Sequence, residues 1–284
     1  MGAPGYVQLT DFTNPAVRND ILTRFSTYVQ TFKNYPAILF WAIGNEENLS
    51  FDYNNLTQIN AFYSLVNQMG QRVRQIEGAV YHPVALVSGD NISTIGNAQY
   101  GSADAQLNYI DIWGMNVYRG DNFGVGGNNL FFQYASKSTK PLWISEMGID
   151  AWHTNDLNNP DNGYEDPTTQ AVWAGRLWDE IVLNANVAVG ATIMEYSDEW
   201  WKPYEWLCGA NSPQCNSQQN HYGYGPTDTS CPPDGIPDFI PPFPDQFNNE
   251  EWFGLMSITP GVNQSSPNLM IPRQRIIATL QNRW

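Results

Sequence analysis

Basic residues are scarce in this chain: 13 Lys plus Arg stand against 28 Asp plus Glu in 284 residues, a net charge of −15. A surface of that sign repels phosphates, which argues against nucleic acid or an anionic membrane surface as partner. No apolar run approaches the roughly 18 residues that a bilayer span requires. Cysteine is confined to Cys208, Cys215 and Cys231, and there are three histidines. The cysteine spacing matches no zinc pattern, and no histidine joins the thiols as a ligand cluster. All three cysteines lie in one Pro/Gly/Asn-rich stretch, where a loop disulfide is expected. Cys208 with Cys215 is the preferred pair, the third thiol being free or intermolecular, which is a weak hint of an oxidising compartment. The opening Met1-Gly2-Ala3-Pro4-Gly5 lacks the basic and apolar regions of a signal peptide, so export is not expected to be encoded there and the location stays unknown. Sequons at Asn48, Asn55, Asn91 and Asn263 add nothing to this, and a glycan on Asn48 would obstruct the site considered next.

Aromatic residues, by contrast, are abundant, at 14% with 11 tryptophans. Ring faces in that number suit sugar stacking, and they also pack ordinary barrels. The run Ile38-Leu39-Phe40-Trp41-Ala42-Ile43-Gly44-Asn45-Glu46 is almost wholly apolar and stops at an amide and a carboxylate. Such a run predicts a strand covered on both faces, the habit of parallel sheets. Pro141-Leu142-Trp143-Ile144-Ser145-Glu146 repeats the design a hundred residues later. Two buried strands, each presenting one glutamate to the same rim, suggest a two-carboxylate site.

Helices are predicted from Asn14-Pro15 to about 32, over 56–77, around 129–137, over about 167–184 and at 272–283. Between them come strands ending at Glu46, over 83–90, 109–118 and 141–146, and at about 187–196. Strands alternating with helices imply βαβ units and a parallel sheet, here of five strands in a single domain over 1–284. A long excursion at about 203–250 is dense in Pro, Gly, Asn and Gln, a feature usually functional or mobile. Within it, Asp228 to Asp238 spaces acids loosely like a calcium loop but lacks the full ligand series, so no metal is assigned.

Splitting a glycosidic bond takes a proton donor for the leaving oxygen and a carboxylate on the other face of the sugar. Glu46 is the candidate donor and Glu146 the candidate nucleophile, with the Asn45 amide available to the sugar's 2-hydroxyl. A separation of ~5 Å between the carboxyl groups gives retention of configuration, and ~7–9 Å gives inversion. Apolar, Trp-rich surroundings would raise the donor's pKa by desolvation. The plainer alternative is that either glutamate is a helix cap or a surface charge.

Trp41-Ala42-Ile43-Gly44-Asn45-Glu46 and Ile144-Ser145-Glu146-Met147-Gly148, taken as a pair, resemble the motifs of the clan A glycoside hydrolases, the retaining (β/α)8-barrel enzymes. They look closest to the family two β-galactosidase and β-glucuronidase catalytic domain, with family five cellulases and fungal β-1,3-glucanosyltransferases as other relatives. The resemblance implies acid/base Glu46 at the end of strand four and nucleophile Glu146 at the end of strand seven. Asn116-Val117-Tyr118 matches the end of strand six, which implies that Tyr118 hydrogen-bonds the nucleophile. Glu195 to Lys202 ends strand eight, where Trp200 or Trp201 would lie beneath the reacting sugar.

On this resemblance the fold is α/β, an incomplete (β/α)8 TIM-type barrel of about five parallel strands, four to eight, lacking strands one to three and their positioning arginine. Open edges and an apolar inner face are an aggregation hazard. Self-association into a homo-oligomer would cover them, or the 203–250 excursion would serve as a plug. The implied function is a retaining β-glycoside hydrolase acting on glucosides, galactosides or oligosaccharides by double displacement, needing no metal, nucleotide or other cofactor. A transglycosylase uses the same residues. A carbohydrate-binding relative with weak or no turnover, and a structural assembly subunit, are the alternatives from other classes.

Overall fold

The computed structural model describes residues 11–155, 163–199, 252–259 and 269–283. The cysteines, the calcium-like stretch, Trp200, Trp201 and the 203–250 excursion lie outside them. The described chain forms two compact units. The first comprises residues up to Val117 with Gly124–Ser145 and Asn184–Ala191, and the second comprises Tyr118–Phe123, Glu146–Leu183 and the residues from Thr192 onward.

In the first unit, helix α1 spans Pro15–Phe32. Asn14 caps it by accepting the Ala16 N–H at 2.9 Å, and Pro15 occupies a first-turn position where no N–H is needed. Helix α2, Leu56–Glu77, carries apolar residues three and four apart and buries that stripe, Ile59, Phe62, Tyr63, Val66, Met69 and Val73 among it. Asn55 caps α2 through the Gln58 N–H. The two helices pack together, and the Arg18 guanidinium ties them by donating to the carbonyls of Phe12 and Ala61.

The strands are β1 (Trp41–Ile43), β2 (Val84–Gly89), β3 (Ile112–Asn116), β4 (Leu142–Met147), β5 (Trp152–Thr154), β6 (Gly163–Glu165) and β7 (Ala188–Ile193). Helix α3, Leu130–Ala135, precedes β4. A parallel five-stranded sheet has the order β1-β2-β3-β4-β7. Trp41, Ala42 and Ile43 pair with Val84, Ala85 and Leu86, and Ala85 to Gly89 pair with Ile112 to Asn116. Every residue of β2 is buried, as a strand covered on both faces requires. Among the described residues the sheet does not close: β1 and β7 each have a neighbour on one side only.

The first strand is much shorter than its apolar run predicts. Only Trp41–Ile43 joins the ladder; the Ile38 N–H turns back to the Tyr35 carbonyl, and Leu39 is 77% exposed. The reason is on the neighbouring strand. Pro83 accepts the Trp41 N–H at 2.8 Å but has no N–H to return, so the ladder cannot extend backwards.

In the second unit, α4 (Pro167–Leu183) packs on the closing helix α5 (Gln274–Gln281) through Ala171, Ala174, Ile276 and Leu280. Strands β5 and β6 pair as a hairpin, as do β8 (Met256–Thr259) and β9 (Leu269–Pro272). These strands of three and four residues are too short to show a period of two, and sequence pattern does not find them.

Arg273, at the start of α5, holds this unit together. Its guanidinium makes a fork-to-fork pair with Asp198, at 2.5 and 2.7 Å, and also donates to Glu165 and to the Gly254 carbonyl. Burial works against the charge, yet the hydrogen bonds and negative charges of Asp198 and Glu165 outweigh it and raise Arg273 above its usual value. Asp198 is 0% exposed, so removing the cation strands a buried carboxylate. Arg273→Leu is therefore expected to cost about 3–5 kcal/mol of unfolding free energy, read from denaturant melts.

Candidate active site

The chain leaves β1 through a turn that ordinary side chains avoid. Gly44 has φ +72°, and Glu46 at φ +67° is the one non-glycine residue in the left-handed region among the described residues. Holding a glutamate there costs of order 1–3 kcal/mol, and such strain persists only where its surroundings enforce it. A 3-10 turn, Glu47–Ser50, follows directly.

The surroundings are a set of short tethers. The Glu46 N–H points to the Val87 carbonyl at 3.4 Å, continuing the β1–β2 ladder past the end of β1. Glu47 is buried, and its carboxylate folds back to accept the Asn45 N–H at 2.9 Å. A Cβ at Gly44 would fall 2.5 Å from that carboxylate, which is why the position takes glycine. Asn48 accepts the Gly89 N–H at 2.8 Å and donates to the Gly89 carbonyl at 3.2 Å, fastening the 3-10 turn to the end of β2. With Asn48 only 2% exposed and its amide so engaged, the sequon there cannot carry a glycan in the folded chain. Glu46 itself is half-buried, and Asn45 is exposed.

Asn45 is oriented from the other side. Its Oδ1 accepts a hydrogen bond from Asn116 Nδ2 at 3.0 Å, and Asn116 Oδ1 accepts the Ser145 hydroxyl at 2.7 Å. Asn116 and Ser145 are both buried, at the ends of β3 and β4, so the relay is shielded and well defined.

In the second unit, Tyr118 donates its hydroxyl proton to Glu146 Oε2 at 2.8 Å and rests against the Met194 sulfur. Its ring meets Phe253 edge-on, with centroids 5.7 Å apart. The Met194 N–H donates to the Met147 carbonyl at 2.9 Å, which keeps the end of β7 beside the end of β4. The Tyr118 hydrogen bond fixes the rotamer of the Glu146 side chain.

Of the residues singled out in the sequence, the structure describes Asn45, Glu46, Tyr118 and Glu146, whereas Trp200 and Trp201 lie outside the described residues. Sequence reading passed over Glu47, Asn116, Ser145 and Met194. A second glutamate directly after the strand-end glutamate was the visible signal for Glu47. Asn116 and Ser145 lie inside the quoted motifs, but nothing in a linear pattern pairs them. Among the described residues no group of three or more His, Cys, Asp or Glu side chains forms a metal site.

Burial pushes the Glu47 carboxyl above its ordinary value of 4.5, against a smaller lowering by the N–H groups of Glu47 and Asn45. A carboxyl raised on folding binds its proton more tightly in the folded state. Its contribution is thus favourable at low pH and is lost as pH rises from about 4.5 through the folded value. Glu47→Gln does not titrate, so its stability relative to the native chain is expected to increase as pH rises above that range, measured by urea melts across a pH series.

Residues 3–204 match the family described as Glycosyl hydrolases family 2, TIM barrel domain. A stretch of 86 residues is 34% identical to the β-galactosidase large subunit of Lactobacillus acidophilus, covering 30% of this chain and 12% of that protein. The corresponding subunit of Lactobacillus helveticus is 31% identical over the same length, again 12% of the relative. Among solved structures, a β-glucuronidase 2 of Bacteroides uniformis superposes with a TM-score of 0.46 at 16% identity, over 65% of this chain and 22% of that one. An endo-β-1,4-xylanase of Gloeophyllum trabeum gives 0.46 at 16% identity, over 71% and 60% respectively.

Proposed function

The chain belongs to the glycosyl hydrolases of family 2, through their TIM barrel domain, and from that premise we propose that it is a retaining β-glycoside hydrolase with Glu46 as acid/base and Glu146 as nucleophile. The observation that carries this reading is the Tyr118 hydroxyl donated to Glu146 at 2.8 Å, a donor suited to a carboxylate that must stay ionised. The strained backbone at Glu46, where the parallel strand β1 ends, supports the second role.

In this reading Glu46 gives its proton to the departing glycosidic oxygen while Glu146 attacks the anomeric carbon, so that one C–O bond forms as another breaks. Glu46 then removes a proton from water, which displaces Glu146 and restores the starting anomeric configuration. Asn45, oriented through Asn116, meets the sugar's 2-hydroxyl, and Trp200 or Trp201 forms the platform beneath the ring. β-Linked glucosides, galactosides and oligosaccharides are the substrate class.

A panel of chromogenic aryl β-glycosides tests the proposal. Turnover on at least one sugar is expected, falling about 10²–10⁴-fold in Glu46→Gln and by at least as much in Glu146→Gln. Tyr118→Phe removes a hydrogen bond to a charged group, worth about 1.5–3 kcal/mol, and is expected to lower kcat by roughly 10–100-fold. Sugar binding without turnover would select a carbohydrate-binding module instead. Glycosyl transfer to an added sugar in place of water would select a transglycosylase.

We further propose that the single-sided strands β1 and β7 are covered by self-association. Sedimentation velocity is expected to show a homo-oligomer, and a monodisperse monomer that persists at high concentration would exclude it.

A further inference from the structure

Glu47 is a buried carboxyl for which the proposed chemistry has no use. The side chain turns back beneath the strand end, where Oε2 accepts the Asn45 N–H at 2.9 Å. One hydrogen bond thus spans Glu46, from the N–H of the residue before it to the carboxyl of the residue after it. The other wall of this turn is Gly44, where a Cβ would meet Oε2 at 2.5 Å, Cδ at 3.2 Å and Oε1 at 3.3 Å.

Backbone conformation explains why such a brace is needed. Gly44 at φ +72° and Glu46 at φ +67° are both left-handed, and only the glycine adopts that state without cost. Relaxing Glu46 to the right-handed or extended region would swing its side chain away from the present direction. It would also separate the Asn45 N–H from the Glu47 carboxyl. The carboxyl that accepts this N–H across Glu46 therefore stabilises the strained conformation. Asn48 anchors the far side of the same turn to Gly89, so the turn is held at both ends.

We infer that Glu47 is a positioning residue: its inward carboxyl braces the Gly44–Asn45–Glu46 turn and thereby aims the Glu46 carboxyl, an assignment that rests on the acid/base role proposed for Glu46. Glu47 does not itself donate the proton, because it is buried and its Oε2 is committed to the Asn45 N–H inside the turn.

Leaving-group dependence separates this role from general damage. Protonation by Glu46 matters for a poor leaving group and hardly at all for a dinitrophenolate, which departs without help. Values of kcat/KM are measured for full-length Glu47→Ala, Glu47→Gln and Glu46→Gln on dinitrophenyl and methoxyphenyl β-glycosides of the sugar that the panel selects. Glu47→Ala is expected to lose about 10–100-fold on the methoxyphenyl substrate, the scale of a misplaced catalytic group, and less than about 3-fold on the dinitrophenyl one. Glu47→Gln, whose amide oxygen accepts the same Asn45 N–H, is expected to recover most of that loss. If Glu47→Ala does not fold, Glu47→Met replaces it: it fills the same space without an acceptor for the Asn45 N–H and is expected to give the same leaving-group signature.

Equal losses on both substrates, or no loss on either, overturn the inference. So does a Glu47→Gln enzyme as impaired as the Glu46→Gln one, which would make Glu47 a proton donor. A Glu46→Gln enzyme whose loss is the same on both substrates instead overturns the acid/base assignment of Glu46, and the two failures are thus told apart.

Discussion

A strand covered on both faces can carry no charge along its length, because each unpaired buried charge costs several kcal/mol. In this chain that constraint falls on β2, buried at every residue, and on β1, whose three paired residues are all buried. Polar chemistry is therefore expelled to the strand ends. Asn45, Glu46 and Glu47 follow Gly44 at the end of β1, Asn116 closes β3, and Ser145 and Glu146 are among the last residues of β4. The concentration of polar side chains at these ends is a consequence of burying the sheet.

Burial also sets the character of the two carboxylate environments. Glu146 accepts a phenol hydroxyl that fixes its orientation. Glu46 is held instead by its backbone, in a conformation that its own residue type disfavours and that adjacent groups enforce. A fixed backbone of this kind suits the proton transfer proposed for Glu46, since misplacement of a donor by about 1 Å can cost two orders of magnitude in rate. The relay from Ser145 through Asn116 to Asn45 applies the same logic to an amide: buried partners leave one orientation satisfied.

The second unit solves a different problem. Its short hairpins and two helices are tied together by one satisfied ion network. Arg273 serves Asp198, Glu165 and a main-chain carbonyl together, which uses the forked geometry of guanidinium in a way lysine could not reproduce. Arg273 stands where α5 begins, so the same contacts fix the helix that packs on α4.

Helix and strand alternation was legible in the linear pattern, since α1, α2 and α4 show a period near 3.6 and β2 and β4 are short apolar runs of strand length. The strand-end glutamates were legible for the same reason, as abrupt polar stops after apolar runs. The extent of β1 was not, because it was decided by Pro83 on another strand, and neither were the hairpins, whose strands are too short to carry a period. Glu47 and Asn116 escaped for a related reason: their roles depend on a left-handed turn and on a neighbour 71 residues away, respectively. By itself, then, the sequence determined which segments are helix or strand and which carboxylates end the strands, since those follow from local periodicity and solvation. Only the tertiary structure decided which backbone is strained, which amide meets which hydroxyl and which arginine closes the second unit, because such pairings arise when distant segments are brought within hydrogen-bonding reach.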